Sequence, residues 1–356
     1  MSYKLIDLYI NFAKEKTDKY IIVLIANVNE RSLVSIDFSE HSVIGDYYTI
    51  KQFQEISEAI IANGFELICY YNENDFIKDY LNGIIQNTEK EILIINTAKT
   101  GTSVGRKSLI PAFCELNNIK YLGCDPYTIS FAKDKFHWHL LLDKFNIPIS
   151  RFWSFQKGNG WIKNDHPDEK EKIIAKLNSE SCGIGLSSDN VCYYTKQFDD
   201  FLFNLATQYN QNILVEKFIE GYEVEVPLII AEKALALEPI AVTIDGKYYI
   251  GDKILDYDTR AKDKYIYIPF KQIKKELSSC LQICAEKAAK AIGLTGICRV
   301  DFRIDKTQNF FVTDIATTPF IDPKSSIGLC FYESKYSYED FFALMIALIL
   351  KKYELK

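Results

Sequence analysis

Residues 299–319 read RVDFRIDKTQNFFVTDIATTP. Two runs of alternating residue type, 299–304 and 310–315, flank a polar turn at 305–309, the pattern of a β-hairpin. Folded about the middle of that turn, the segment sets Asp301 opposite Asp314, within one residue of register, and Arg299 opposite Ala316. Directly opposed side chains lie about 4.5–5.5 Å apart at Cβ, where like charges repel. Two carboxylates kept there call for a cation between them, and Mg2+ favours one or two carboxylates together with phosphate oxygens. The hairpin therefore reads as a platform for metal-bound nucleotide, with Asp301 and Asp314 as metal ligands. Arg299 shares the sheet face of Asp301. It serves either as a salt-bridge partner or as a clamp on a developing oxyanion.

The chain around this hairpin has 356 residues, enough for two or three domains. Its hydrophobic and charged fractions, 48% and 25%, are those of a soluble protein with a full core. A net charge of −6 with a pI near 5.5 argues against a nucleic-acid binder. The apolar run 341–350 is too short to span a bilayer and reads as a buried helix. The first twenty residues lack the order of a signal peptide. Nine scattered cysteines without a C-x-x-C pair suggest reduced thiols and a cytoplasmic protein. The four histidines are too dispersed for a zinc cluster and read as surface or packing residues.

Strand-like runs at 20–28, 65–71, 91–96 and 120–122 alternate with helical patterns at 50–63 and 109–117, as in an open α/β sheet. No G-x-G-x-x-G follows the first strand, so there is no dinucleotide fingerprint. Beyond residue 124 the pattern becomes mixed and antiparallel. It predicts one helix over 130–145, strands at 150–155, 172–177, 191–195, 213–219, 222–230, 234–243 and 247–250, helices at 198–208 and 272–292, and a last helix at 338–353. Residues 156–171 read as loop.

Lys176 ends a strand beside a run of small residues that includes Ser181, Cys182 and Gly183. Small residues let backbone N–H groups close on an anion, and a lysine adds a point charge for phosphate. A solvated lysine before an ordinary turn would look the same. In ILVEKFIEGYEVEV, 213–226, Glu216, Glu223 and Glu225 alternate with apolar residues. The turn either holds a nucleoside or is a strand pair with one solvated face.

Together and in this order, FAKDKFHWHLLLDKFNIP, IIAKLNSESCGIGL, ILVEKFIEGYEVEV, ILDYDTRA and the 299–319 hairpin resemble the ATP-grasp superfamily. Within it they resemble the D-alanine–D-alanine ligase-like carboxylate–amine ligases. The resemblance covers about residues 92–326. It implies an α/β, Rossmann-like N-terminal domain over 1–124, then two α+β ATP-grasp domains, 125–212 with the phosphate loop and 213–356 with the metal hairpin. It also implies ATP and Mg2+ as cofactors, with Mn2+ as a substitute, small-molecule carboxylate and amine substrates such as amino acids, and a homodimer.

Carried over by residue, the resemblance places Lys135 and Lys176 on ATP phosphates, with Ser181, Cys182 and Gly183 in the loop above them. Glu216, Lys217 and Ile219 would hold adenine, and Glu223 the ribose. Arg260 would stand for a phosphate-contacting lysine, Asp301 and Asp314 would bind Mg2+, and Arg299 would steady the tetrahedral intermediate. The charged segment 252–264 would be a second lid. Several positions depart from the pattern: the usual Glu-x-Asn is Asp314-Ile-Ala316, the glycine after the proline is Phe320, the loop serine is Cys182 and the lid tyrosine is Ala261. These departures point away from D-alanine. The expected activity is formation of an amide or peptide bond through an acyl phosphate. The alternatives are an ATP-binding regulatory subunit without turnover and a true D-alanine–D-alanine ligase.

Overall fold

A computed structural model of the chain describes residues 3–262 and 264–354. Among these residues the strands form three sheets. The first is wholly parallel, in the order β2-β1-β3-β4, from β1 (Tyr20–Ile25), β2 (Glu66–Tyr70), β3 (Glu91–Asn96) and β4 (Lys120–Tyr121). Its central strands are apolar on both faces because helices cover both. One of those helices, Ile50–Ile61, starts at a capping box between Thr49 and Gln52. Helices Tyr3–Lys14 and Glu73–Leu81 are present where the sequence pattern gave no expectation.

The single helix expected over 130–145 is two, Pro126–Lys133 and Lys135–Lys144. Asp134 separates them at φ −87°, ψ 92°, and its side chain accepts from the His137 N–H. An aspartate that can cap a helix start competes with a helix interior, and here the cap prevails. The break makes Lys135 the first residue of a helix.

The second sheet is antiparallel, in the order β6-β5-β9-β7-β8: β5 (Phe152–Gln156), β6 (Gly160–Trp161), β7 (Lys172–Leu177), β8 (Val191–Tyr193) and β9 (Ile213–Lys217). The short β6 falls in the stretch expected to be loop. The third sheet runs β13-β12-β10-β14-β15, with β11 on β10: β10 (Tyr222–Ile230), β11 (Ala234–Ala236), β12 (Ile240–Ile244), β13 (Tyr265–Pro269), β14 (Gly296–Ile304) and β15 (Phe310–Ala316). The strand expected over 234–243 is thus split in two, and Lys247 contributes only an isolated bridge to Ile244. Helix Lys271–Ile292 stops at Gly293, which takes the left-handed conformation at φ 83°.

β14 and β15 form the hairpin foreseen at 299–319. Ile304 pairs with Phe310 and Phe302 with Val312, but Asp301 pairs with Asp314 and Arg299 with Ala316. A β-bulge at Thr313 absorbs the extra residue. This accounts for the one-residue ambiguity in the sequence register, and it places the two acids opposite each other.

The last helix, Tyr338–Glu354, is buried without interruption from Phe341 to Leu350. Its core includes Ile22, Leu24, Leu93 and Ile95 of the first sheet and Ile229 and Ile297 of the third. No helix among the described residues is long and apolar enough to cross a membrane.

Candidate active site

Asp301 is buried on β14, and the Arg299 guanidinium grips both its oxygens, Nε to Oδ1 and Nη2 to Oδ2, each at 2.7 Å. Arg299 also reaches Glu225 Oε2 at 3.0 Å, from the strand on the other side. Burial, with Glu225 and Asp314 adding like charge, pushes the Asp301 carboxyl up to about 7 despite the arginine. Asp314 stays partly exposed. Burial would raise it too, but Lys135, Lys133 and Lys176 hold it below its ordinary value. The described residues offer no cluster of three or more His, Cys, Asp or Glu for a metal. Asp301 and Asp314, two opposed carboxylates, are the kind of donor pair that would hold Mg2+.

Lys135 lies 3.5 Å from Asp314 and donates to the Glu180 carbonyl at 2.5 Å. Lys176 projects from β7 to Glu216 Oε2 on β9 at 2.6 Å and to the Thr313 carbonyl at 3.3 Å. The bulge carbonyl therefore helps to aim the lysine. Lys176 is not the solvated side chain of the plainer reading. Glu216 is fully buried and also meets His139 Nε2 at 3.1 Å. Although burial opposes ionisation, Lys176 and His139 hold the Glu216 carboxyl down at about 2. Its carboxylate thus fixes a lysine in this structure. His139 is buried, as a packing residue would be, but it has the further task of orienting Glu216.

Twelve of the thirteen candidate residues line one cleft, so the sequence-distant motifs converge. The exception is Arg299, which lines the adjoining cavities. Ile174, Leu186 and Phe218 give the cleft apolar walls beside Lys217 and Ile219, suited to a flat base. Glu223 sits across the ladder from Arg303 and pairs with it at 3.0 Å. Glu225 and Glu216 are buried, so the acids of 213–226 are not a solvated face.

The small-residue loop is folded down on the N-terminal part of the chain. Ser181 and Cys182 both donate to Asp46, and Lys107 reaches the Ser181 hydroxyl at 3.3 Å. Glu180 is gripped by both terminal nitrogens of Arg106, at 3.0 and 2.6 Å, with both side chains almost fully buried. Cys182 and Gly183 adopt positive φ, 55° and 74°. A Cβ on Gly183 would stand 2.6 Å from the Tyr257 backbone nitrogen. The second expected lid carries a short helix, Tyr257–Ala261, capped by Asp256. Its Tyr257 donates to the Ser42 carbonyl at 3.1 Å and stacks on His41 with ring centroids 4.5 Å apart. Arg260 on this helix faces the cleft and both adjoining cavities. Phe320, which replaces an expected glycine, packs under the Lys99 ammonium, 4.9 Å from its ring centre.

Asp46, Lys99, Arg106, Glu180 and Arg303 escaped the sequence reading, and Glu225 was read there without a role of its own. Asp46, Lys99 and Arg106 lie where recognisable motifs are sparse. Glu180 stood in plain view, flanked by the small residues of the loop.

Residues 141–347, more than half of the chain, match the family model described as D-ala D-ala ligase C-terminus. The D-alanine–D-alanine ligase of Acetivibrio thermocellus is 26% identical over 261 residues, which are 70% of this chain and 66% of that protein. That of Borrelia duttonii is 27% identical over 283 residues, covering 76% of this chain and 74% of that one. Among solved structures, the D-alanine–D-alanine ligase of Bacillus anthracis complexed with ATP superposes with a TM-score of 0.70 at 15% identity, covering 94% of this chain and 99% of that one. The VanG D-Ala:D-Ser ligase of Enterococcus faecalis superposes with a TM-score of 0.65 at 16% identity, covering 93% and 99%. The chain belongs to the D-alanine–D-alanine ligase family of ATP-grasp proteins, ADP-forming ligases that use ATP and Mg2+.

Proposed function

We propose that this protein joins a carboxylate to an amine at the expense of ATP, through an acyl phosphate. The observation that carries the reading is the convergence of Lys135, Lys176 and the opposed Asp301 and Asp314 on one cleft. Lys135, Lys176 and Arg260 orient the triphosphate, and positioning of this kind is most of what phosphoryl transfer asks of a protein. Asp301 and Asp314 would hold Mg2+, which when bound would supply charge neutralisation for the transferred group. Arg299, anchored by Asp301 and Glu225, offers its guanidinium to the oxyanion that forms as the amine adds. The closed loops at 179–185 and 252–262 exclude water, which would otherwise hydrolyse the activated acyl group.

We place the acyl donor outside D-alanine, because Cys182 and Ala261 stand where the resemblance expects a serine and a tyrosine. The curated relatives, named as D-alanine–D-alanine ligases, favour the rival reading. ADP release, screened over amino acids and small carboxylates with mass spectrometry of the product, tests both. Mg2+-dependent ADP formation with a donor–acceptor pair supports the ligase. A dipeptide from D-alanine alone supports the rival. A nucleotide-induced melting shift without ADP across the panel identifies a regulatory subunit instead.

A further inference from the structure

Two buried ammonium groups beside the cleft make no ion pair with any described residue. The cavity next to it is lined by Lys99, Lys107, Lys133, Arg299, Asp46 and Asp314, among others. Each acid there is already matched. Asp46 takes Lys99 at 2.5 Å and the Ser181 and Cys182 side chains. Glu180 takes Arg106 and Gln211. Asp314 lies 3.5 Å from Lys135, while Lys133 acts on it only from beyond ion-pair distance. That leaves Lys107, whose one hydrogen bond is the 3.3 Å contact to Ser181, and Lys133, which makes no hydrogen bond or ion pair with any described residue. Both are more than nine-tenths buried.

An ammonium buried without a partner is costly, and a chain keeps it where something anionic arrives. Burial and the neighbouring cations already show the strain. They lower Lys107 to about 8 and Lys133 well below its ordinary range. The ATP phosphates do not explain these lysines. Lys107 and Lys133 line the second cavity and not the nucleotide cleft, whereas Lys135, Cys182, Arg260 and Asp314 line both. A carboxylate in the second cavity would meet the transferable phosphoryl group at that shared wall.

We propose that the second cavity holds the acyl donor, and that the donor carries a further anionic group, carboxylate or phosphate, held between Lys107 and Lys133. This rests on the ligase reading above and narrows its substrate to an acidic one.

The test uses the full chain loaded with Mg2+ and a non-hydrolysable ATP analogue, titrated calorimetrically with alanine, glutamate and O-phosphoserine, each as both enantiomers. At least one acid should bind about tenfold or more tightly than alanine, a difference of about 1.4 kcal/mol. Preference for glutamate or for phosphoserine separates a carboxylate from a phosphate. Lys133→Met and Lys107→Met should each erase the preference and leave the analogue's affinity within about twofold. Lys133→Arg, which keeps the charge, should retain the preference and guards against a folding artefact. Equal binding of alanine and both acids, or acid binding untouched by both methionine variants, overturns the proposal. Failure of the ligase reading looks different, because ATP and Mg2+ would then yield no ADP with any donor–acceptor pair, whichever acid the second cavity binds.

Discussion

Asp301 keeps its place in the hairpin at an electrostatic cost. Its carboxyl is pushed up to about 7 by burial and by Glu225 and Asp314, so a neutral isostere is welcome to the fold. Asp301→Asn should therefore melt no lower than the parent yet abolish ADP release, as a coupled assay beside calorimetry would show. Full activity in that variant would remove Asp301 from the metal site. Glu216 is the opposite case. Its folded value of about 2 lies below the ordinary 4.5, so its pairing with Lys176 and His139 stabilises the protein above about pH 4.5. That contribution fades as the pH falls from there towards 2. Glu216→Gln should cost about 3 kcal/mol at pH 7, because Lys176 loses its partner. In urea titrations the gap to the parent should narrow steadily below pH 4.5. A gap that stays constant with pH would detach the pair from stability. Lys176 itself should affect ATP more than acceptor: Lys176→Met should raise the KM for ATP several-fold and leave the KM for the amine nearly unchanged.

At the level of elements, the small-residue loop at 179–185 is tightly constrained at Gly183. Gly183 combines a left-handed φ with a 2.6 Å approach to the Tyr257 backbone, so any side chain both strains the loop and parts it from the second lid. Gly183→Ala should lower kcat/KM for ATP by about tenfold or more, with melting followed alongside because the neighbouring Ile184 is a core residue. Unaltered kinetics would show that the two loops need not meet.

The strands that carry these elements were largely legible in the sequence. The 172–177 and 91–96 strands and the 198–208 helix fall where alternation and periodicity put them. The hairpin register was legible to within one residue, and the missing residue is the bulge at Thr313, which no local pattern announces. The break at Asp134 was missed because helical periodicity runs through it, and only the capping geometry reveals it. The twelve candidates that share the cleft were read from motif order. Asp46, Arg106 and Lys133 could not be read the same way, because their importance lies in what surrounds them in space.

Across the whole molecule, the N-terminal part and the 179–185 loop are joined by the buried Arg106–Glu180 grip. Arg106→Met leaves the buried Glu180 carboxylate without its ion-pair partner and should cost about 3–5 kcal/mol in unfolding free energy. It should also loosen the loop, which limited proteolysis at 179–186 would register. If neither changes, the closed arrangement is held by other contacts. The core has a similar long reach. Helix Tyr338–Glu354 fills the space between the first and third sheets, so strands made early are roofed by residues made more than two hundred positions later. At about 5–20 residues per second, roughly ten seconds or more of synthesis separate β4 from that helix. Throughout that interval the nascent parallel sheet waits on the ribosome with a greasy flank uncovered, the period in which this chain most needs a chaperone.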